Sequence, residues 1–108
     1  MNKSKAKGNR FERECLELLK SNGFTGERAY GSNGRALGES ETVDLVFYAN
    51  GEKIKVQCKV RNKIAKYIKP PVECDVTLIK EDRGEIYVIQ KYDDWLKELG
   101  GGLLWKDI

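Results

Sequence analysis

The chain has 108 residues, of which 40% are hydrophobic and 34% charged, with a formal net charge of +3; that length supports one modest core and excludes two. No apolar run approaches the roughly 20 residues of a membrane span, and the basic opening MNKSKAKGNR lacks the apolar stretch of a signal peptide, so the expected location is the cytoplasm. There is no histidine, and Cys15, Cys58 and Cys74 are widely spaced with no CxxC pair, which argues against a structural zinc site, a disulfide framework and histidine-assisted nucleophilic catalysis. The chemistry left to the chain is that of carboxylates, amides, lysines and a bound hard metal.

The first predicted element is a helix over residues 5–22, ended by Gly23. At about 100° per residue, with Phe11 at 0°, Leu18 falls near −20°, Cys15 near 40°, Leu19 near 80° and Leu16 near 140°. Arg10, Arg13, Glu14, Glu17 and Lys20 occupy the opposite, wet side. Glu12 falls inside the apolar arc, between Leu19 and Leu16. A carboxylate there is costly unless it meets a metal or a positive partner. Both readings stay open: a third group for a metal site, or a snorkelling or lysine-paired acid.

An extended piece over residues 27–30 comes next, followed by a loop over 31–41 that carries Gly31, Gly34 and Gly38 and is expected to be mobile. The loop lacks the GK[ST] ending of a phosphate-cradling P-loop. Residues 42–49 and 52–61 then read as two strands around Asn50-Gly51, the strongest short hairpin signal. A two-residue turn there sets Phe47 opposite Ile54, Leu45 opposite Val56 and Val43 opposite Cys58, all apolar and all on one face. The other face pairs Asp44 with Gln57 and Thr42 with Lys59. Opposed side chains of this kind lie roughly 5 Å apart at Cβ, so an acid, an amide oxygen and an ammonium would share one patch. Such a set suits a divalent cation and a water beside a phosphate; the alternative is a solvated hairpin face.

Residues 62–72 form a basic connection with one helical turn, ended by Pro70-Pro71. A second strand pair, 75–80 and 85–90, is joined at Asp82-Arg83-Gly84, and a short helix over 92–99 stops at Gly100-Gly101-Gly102. The tail LLWKDI is apolar enough to dock, with a second subunit as one option. This order predicts a single α/β domain with a central sheet covered by helices. Two basic clusters suit a polyanion: Lys3, Lys5, Lys7 and Arg10, and then Lys59, Arg61, Lys63, Lys66 and Lys69. A solvated surface accounts for the same charges.

The helix KGNRFERECLELLKSNGF, then RAYGS, VDLV and VQCKV, resemble in order the opening of archaeal Holliday junction resolvases and related phage nucleases of the PD-(D/E)xK superfamily. The resemblance covers residues 7–60. It implies a restriction-endonuclease-like α/β core, a central mixed β-sheet flanked by helices in αβββαβ order, over residues 1–108, with a basic N-terminal arm at 1–8. It implies a metal-dependent, structure-selective endonuclease that uses Mg²⁺ or Mn²⁺ and works as a homodimer to nick four-way or other branched DNA symmetrically. Carried over residue by residue, Glu12 matches the helix glutamate of the active site, Asp44 the metal-binding aspartate and Lys59 the catalytic lysine. Arg13 and Arg28 match basic residues that contact DNA or support the site, and Ser32 matches a loop serine implicated in cleavage. Lys3, Lys5, Lys7, Arg10, Arg35, Arg61, Lys63 and Lys66 complete the expected DNA-binding set.

Two positions depart from the pattern. Val43 stands where the signature has proline, and Gln57 where the resolvases have glutamate. The Gln57 carbonyl still offers an oxygen, but one negative charge is gone, which leaves Asp44 with Glu12, Glu39 or Glu41 to hold the ion. The rival readings are a phage-type nickase or DNA-end nuclease of the same fold, a catalytically idle nucleic-acid-binding module, and a generic α/β scaffold.

Overall fold

A computed structural model describes residues 3–29 and 37–100. The element order is α1 (Lys3–Ser21), β1 (Thr25–Arg28), β2 (Leu45–Ala49), β3 (Glu52–Val56), β4 (Val76–Lys80), β5 (Ile86–Gln90) and α2 (Tyr92–Glu98). Helix α1 begins two residues earlier than its pattern predicts, so Lys3, Lys5 and Lys7 sit on its first two turns. It ends as expected: Gly23 takes φ 88°, its N–H donates to the Lys20 carbonyl at 3.0 Å, and the Phe24 N–H donates to that of Leu19 at 3.0 Å. Those two bonds are the paired closure of a Schellman motif, which needs a residue free to adopt positive φ.

The β2–β3 register matches the predicted one from Leu45↔Val56 to Ala49↔Glu52. Asn50 and Gly51 both have positive φ, 53° and 79°, as a type I′ turn requires. Leu45, Phe47 and Ala49 therefore share one face, and this face meets α1 and α2. Leu19, Leu45, Phe47 and Leu96 are fully buried there. Phe47 is clasped edge-on by Phe24 and by Trp95, each ring centroid 5.6 Å away. β1 pairs antiparallel on the other side of β2, with Gly26 opposite Phe47. A Cβ at Gly26 would stand 2.9 Å from the Val46 carbonyl oxygen and 3.3 Å from Leu16 Cδ1, so the missing side chain is what lets α1 close on the sheet.

The α/β class stands, while several details differ from expectation. The described strands form two antiparallel sheets, β1-β2-β3 and β4-β5, not one mixed sheet. The connection from β3 to β4 holds only isolated turns, closed by Ile68 N–H to the Ala65 carbonyl and Cys74 N–H to that of Pro71. With Pro70 and Pro71 in it, the segment cannot run a crossover helix through its middle. The first sheet's outer strand starts at Thr25, not residue 27. Both hairpin strands are also shorter than the alternation implied. Ser40 and Thr42 form a hydroxyl-bonded turn at 2.7 Å in place of strand, and the regular β2–β3 ladder stops at Leu45, beside Asp44. Residues 30–36, with Ser32 and Arg35, and the tail at 101–108 lie outside the described residues.

Candidate nuclease site

In a regular continuation of the hairpin, Cys58 would donate its N–H to the Val43 carbonyl. Instead, Asp44 donates its own N–H to the Val56 carbonyl at 2.8 Å, while its carbonyl accepts the Ala29 N–H of the β1 side at 2.8 Å. The Asp44 peptides are thus turned to serve both neighbouring strands. This is the irregularity of a β-bulge, a device that re-aims side chains. The Asp44 carboxylate then replaces the missing ladder acceptor: its Oδ2 takes the Cys58 N–H at 2.7 Å. A buried amide is satisfied by a charged acceptor, and the chain from Gln57 to Lys59 is fixed against Asp44.

Glu12 and Asp44 are the buried charged side chains among the described residues, at 4% and 8% exposure. Both line one cavity of about 570 Å³, together with Gln57, Lys59, Lys5 and Lys7. Arg61 and Asn62 stand at its rim, and Lys7 Nζ donates to Asn62 Oδ1 at 2.7 Å, tying the start of α1 to the segment after β3. The four residues that the sequence placed on two separate elements are brought to a common space.

Glu12 has the positive partner its buried position requires. Arg28 Nη2 lies 3.1 Å from Glu12 Oε1 and 3.4 Å from Asn9 Oδ1. Arg28 is thereby turned inward against α1; of the two roles the resemblance allowed it, these contacts are those of a support for the site. Lys3, Arg10, Arg13, Lys63 and Lys66 are exposed and stand outside the cavity lining. Glu39 pairs with Lys53 and, at 3.4 Å, with Lys55, and does not line the cavity. Glu41 is exposed and does not line the cavity.

The donor set suits a hard cation. Asp44 keeps Oδ1, Glu12 brings a second carboxylate and Gln57 offers its carbonyl oxygen, while no group of three carboxylate, thiol or imidazole ligands occurs among the described residues. Two carboxylates with an amide match an ion such as Mg²⁺, which retains several waters and takes its remaining ligands from substrate phosphate.

Sequence reasoning missed Cys58, Asn62 and Asn9. Strict alternation put Cys58 on the apolar face, which is true of its thiol; its backbone N–H is what holds Asp44. Asn62 meets Lys7 across 55 positions, a contact with no local signature. The neighbouring Cys15 thiol pushes the Cys58 thiol up, with burial adding to it, and the same interaction lowers that of Cys15. Tyr92 is raised by burial, and its hydroxyl donates to the Cys15 carbonyl at 2.9 Å.

No helix of the described residues is long and apolar enough to cross a membrane. No curated protein and no solved structure matches the chain. A family model described as archaeal Holliday junction resolvase (Hjc) matches residues 3–99. That match spans α1, the cavity residues, both hairpins and α2, and on it the chain belongs to the archaeal Holliday junction resolvase family, a family of nucleases that act on branched DNA.

Proposed function

We propose that this protein is a divalent-metal-dependent endonuclease that hydrolyses backbone phosphodiesters of four-way DNA junctions, using the cavity between α1 and the end of β3. The observation that carries this is the meeting of the two buried carboxylates, Glu12 and Asp44, with Gln57 and Lys59 under a basic rim. Asp44, Gln57 and Glu12 would hold Mg²⁺ or Mn²⁺. A cation there supplies positive charge against the phosphate oxygens as a water oxygen bonds to phosphorus and one ester oxygen departs. Lys59 places a second positive charge at the same phosphate and orients the water. Lys5, Lys7 and Arg61 bind flanking phosphates without reading bases, as Lys3, Arg10, Arg13, Lys63 and Lys66 do farther out; Ser32 and Arg35 would approach from the loop.

The first turns of α1 support a polyanionic substrate. They contain no acidic residue but carry Lys3, Lys5 and Lys7, which oppose the positive end of the helix dipole. That arrangement costs a few tenths of a kcal/mol per charge in the free protein and becomes favourable when a phosphate arrives. A homodimer would present two such cavities to a substrate that is itself two-fold symmetric.

Cleavage of an end-labelled four-way junction, a nicked duplex and a linear duplex, with Mg²⁺ or EDTA and beside Asp44→Ala, tests the reading. Paired, metal-dependent nicks in the junction are expected, and equal cutting of the linear duplex would refute junction selectivity. A second reading has its own observation: Gln57 lacks the charge of glutamate and Glu12 is engaged by Arg28, as in a module that binds junctions without cutting them. Gln57→Glu separates the two. It should lower the metal concentration needed for cutting in an enzyme and leave an idle module inactive.

A further inference from the structure

Helix α1 carries a glycine that its packing does not ask for. Gly8 lies inside this 19-residue helix, where the extra backbone freedom of glycine weakens the element relative to alanine. Close packing explains Gly26, whose Cβ would strike the neighbouring strand. At Gly8 a Cβ would meet no heavy atom of the described residues within 4 Å. Nor does a turn require it, since Gly8 keeps the negative φ of its helix.

What Gly8 faces is the cavity of Glu12 and Asp44. At about 100° per residue, with Ser4 at 0°, Gly8 falls near 40° and Glu12 near 80°, while Lys5 lies near 100° and Lys7 near −60°. All five line the cavity. Gly8 is thus near the middle of the α1 wall, a strip of bare backbone with an ammonium arm on either side. Lys7 is held toward the segment after β3 by its bond to Asn62 Oδ1 at 2.7 Å, and a neutral amide leaves the charge of the ammonium in place.

We infer that the α1 wall is a seat for the DNA backbone phosphate next to the one that is cut, with Gly8 as its floor and Lys5 and Lys7 as its sides. The inference rests on the nuclease reading above and adds to it the course of the strand. With no side chain at residue 8, a phosphate oxygen can come up against the helix backbone, the close approach that glycine permits. Gly8 and Glu12 are one helical turn apart, roughly 6 Å along the axis, a separation like that of neighbouring phosphates in one strand. A phosphate on Gly8 therefore sets the next one beside the Glu12 and Asp44 carboxylates. Gly8 acts as a positioning residue, through the substrate that it admits.

Gly8→Ala and Gly8→Leu put good helix formers into open space, so both proteins should melt a few degrees above the wild type. The same side chains lift the phosphate off its floor. Misplacement by about 1 Å can slow a reaction on the order of 100-fold, and Gly8→Ala should cut a four-way junction more slowly by about that factor. Gly8→Leu should also lose one phosphate contact, which lowers the slope of log affinity against log salt by about 1 for junction binding in EDTA. Ala6→Gly, which does not line the cavity, should melt lower and keep the wild-type rate and slope. A glycine with a merely structural role would not move stability and cutting in opposite directions. Gly8 variants that melt higher but keep the wild-type rate and slope overturn the seat. So does a lowered melting temperature in Gly8→Ala, which would mean that a methyl group meets something there. A wild type that binds junctions without cutting them refutes the nuclease reading instead, and the salt slope of Gly8→Leu then decides the seat.

Discussion

The Asp44 carboxylate is committed through Oδ2 to the Cys58 amide, which leaves Oδ1 for a cation. These two duties can be separated by substitution. Asp44→Asn retains an oxygen acceptor for the amide but loses the charge, so cutting should drop by at least ~100-fold while the melting temperature changes little. Asp44→Ala also leaves a buried N–H unpaired, at a cost of about 1–3 kcal/mol. Thermal melts beside junction cleavage check both, and Asp44→Asn with ordinary activity would remove Asp44 from the site. Glu12 and Arg28 form the other residue-level unit, with side chains only 5% and 16% exposed. Removing one partner weakens the compensation of a buried charge: Arg28→Ala should destabilise the fold, by up to roughly 3 kcal/mol. The double variant Glu12→Gln/Arg28→Ala should lose about 1–3 kcal/mol less than the sum of the singles. Urea denaturation of the four proteins measures that coupling, and simple additivity would mean that the pair does not act as a unit.

At the scale of elements, the sequence could be read wherever one local period governs. The 3.6-residue spacing from Phe11 to Leu19 placed Glu12 inside the apolar arc, and Glu12 is buried with Cys15 and Leu19. Asn50-Gly51 set the hairpin register as far as Leu45↔Val56. Legibility stops at Asp44, because a bulge is decided by competition between two neighbouring strands for the same peptide groups, and alternation carries no trace of that. The partner of Glu12 was illegible for a similar reason: Arg28 arrives from β1, which closes on α1 only because Gly26 has no side chain. Gly26→Ala should therefore cost about 1–3 kcal/mol, as overpacking does, visible as a lowered urea midpoint. The Glu39 pairing is a further link between elements. Its hydrogen bond with Lys53, supported by Lys55, holds the Glu39 carboxyl below its ordinary value of 4.5. A depressed carboxylate pKa stabilises above the unfolded value and ceases to as pH falls through the folded one. The melting difference between the wild type and Glu39→Gln should hold at neutral pH, start to shrink below the unfolded value of about 4.3 and be lost as pH falls on through the depressed folded one; a constant difference would mean that the charge is irrelevant.

Across the whole molecule the apolar surface is unevenly distributed. Every buried apolar side chain among the described residues belongs to residues 15–49 or is Leu96. Of the nine large hydrophobic side chains left exposed, all but Tyr48 lie between residues 64 and 88. Leu78 pairs with Val88 across β4–β5, and Val76 and Ile86 flank them on the same face, so the exposure is continuous and not scattered. These four side chains share one face of the hairpin, while Tyr87 lies opposite Ile79 on the other. Monomers rarely leave such a patch open. On the homodimer proposed above, two-fold pairing of this face would set two cavities against two opposed strands of a junction. Leu78→Asp/Val88→Asp puts carboxylates where the two hairpins would meet. Sedimentation equilibrium should show a dimer for the wild type and a monomer for the variant, with helical circular dichroism unchanged. Cutting by the variant should pass from paired incisions to single, unsynchronised nicks, since each monomer keeps Glu12, Asp44, Gln57 and Lys59 intact. A wild type that sediments as a monomer at micromolar concentration would refute this pairing, and paired incisions by a monomeric variant would show that the symmetry of the cuts comes from the junction and not from the protein.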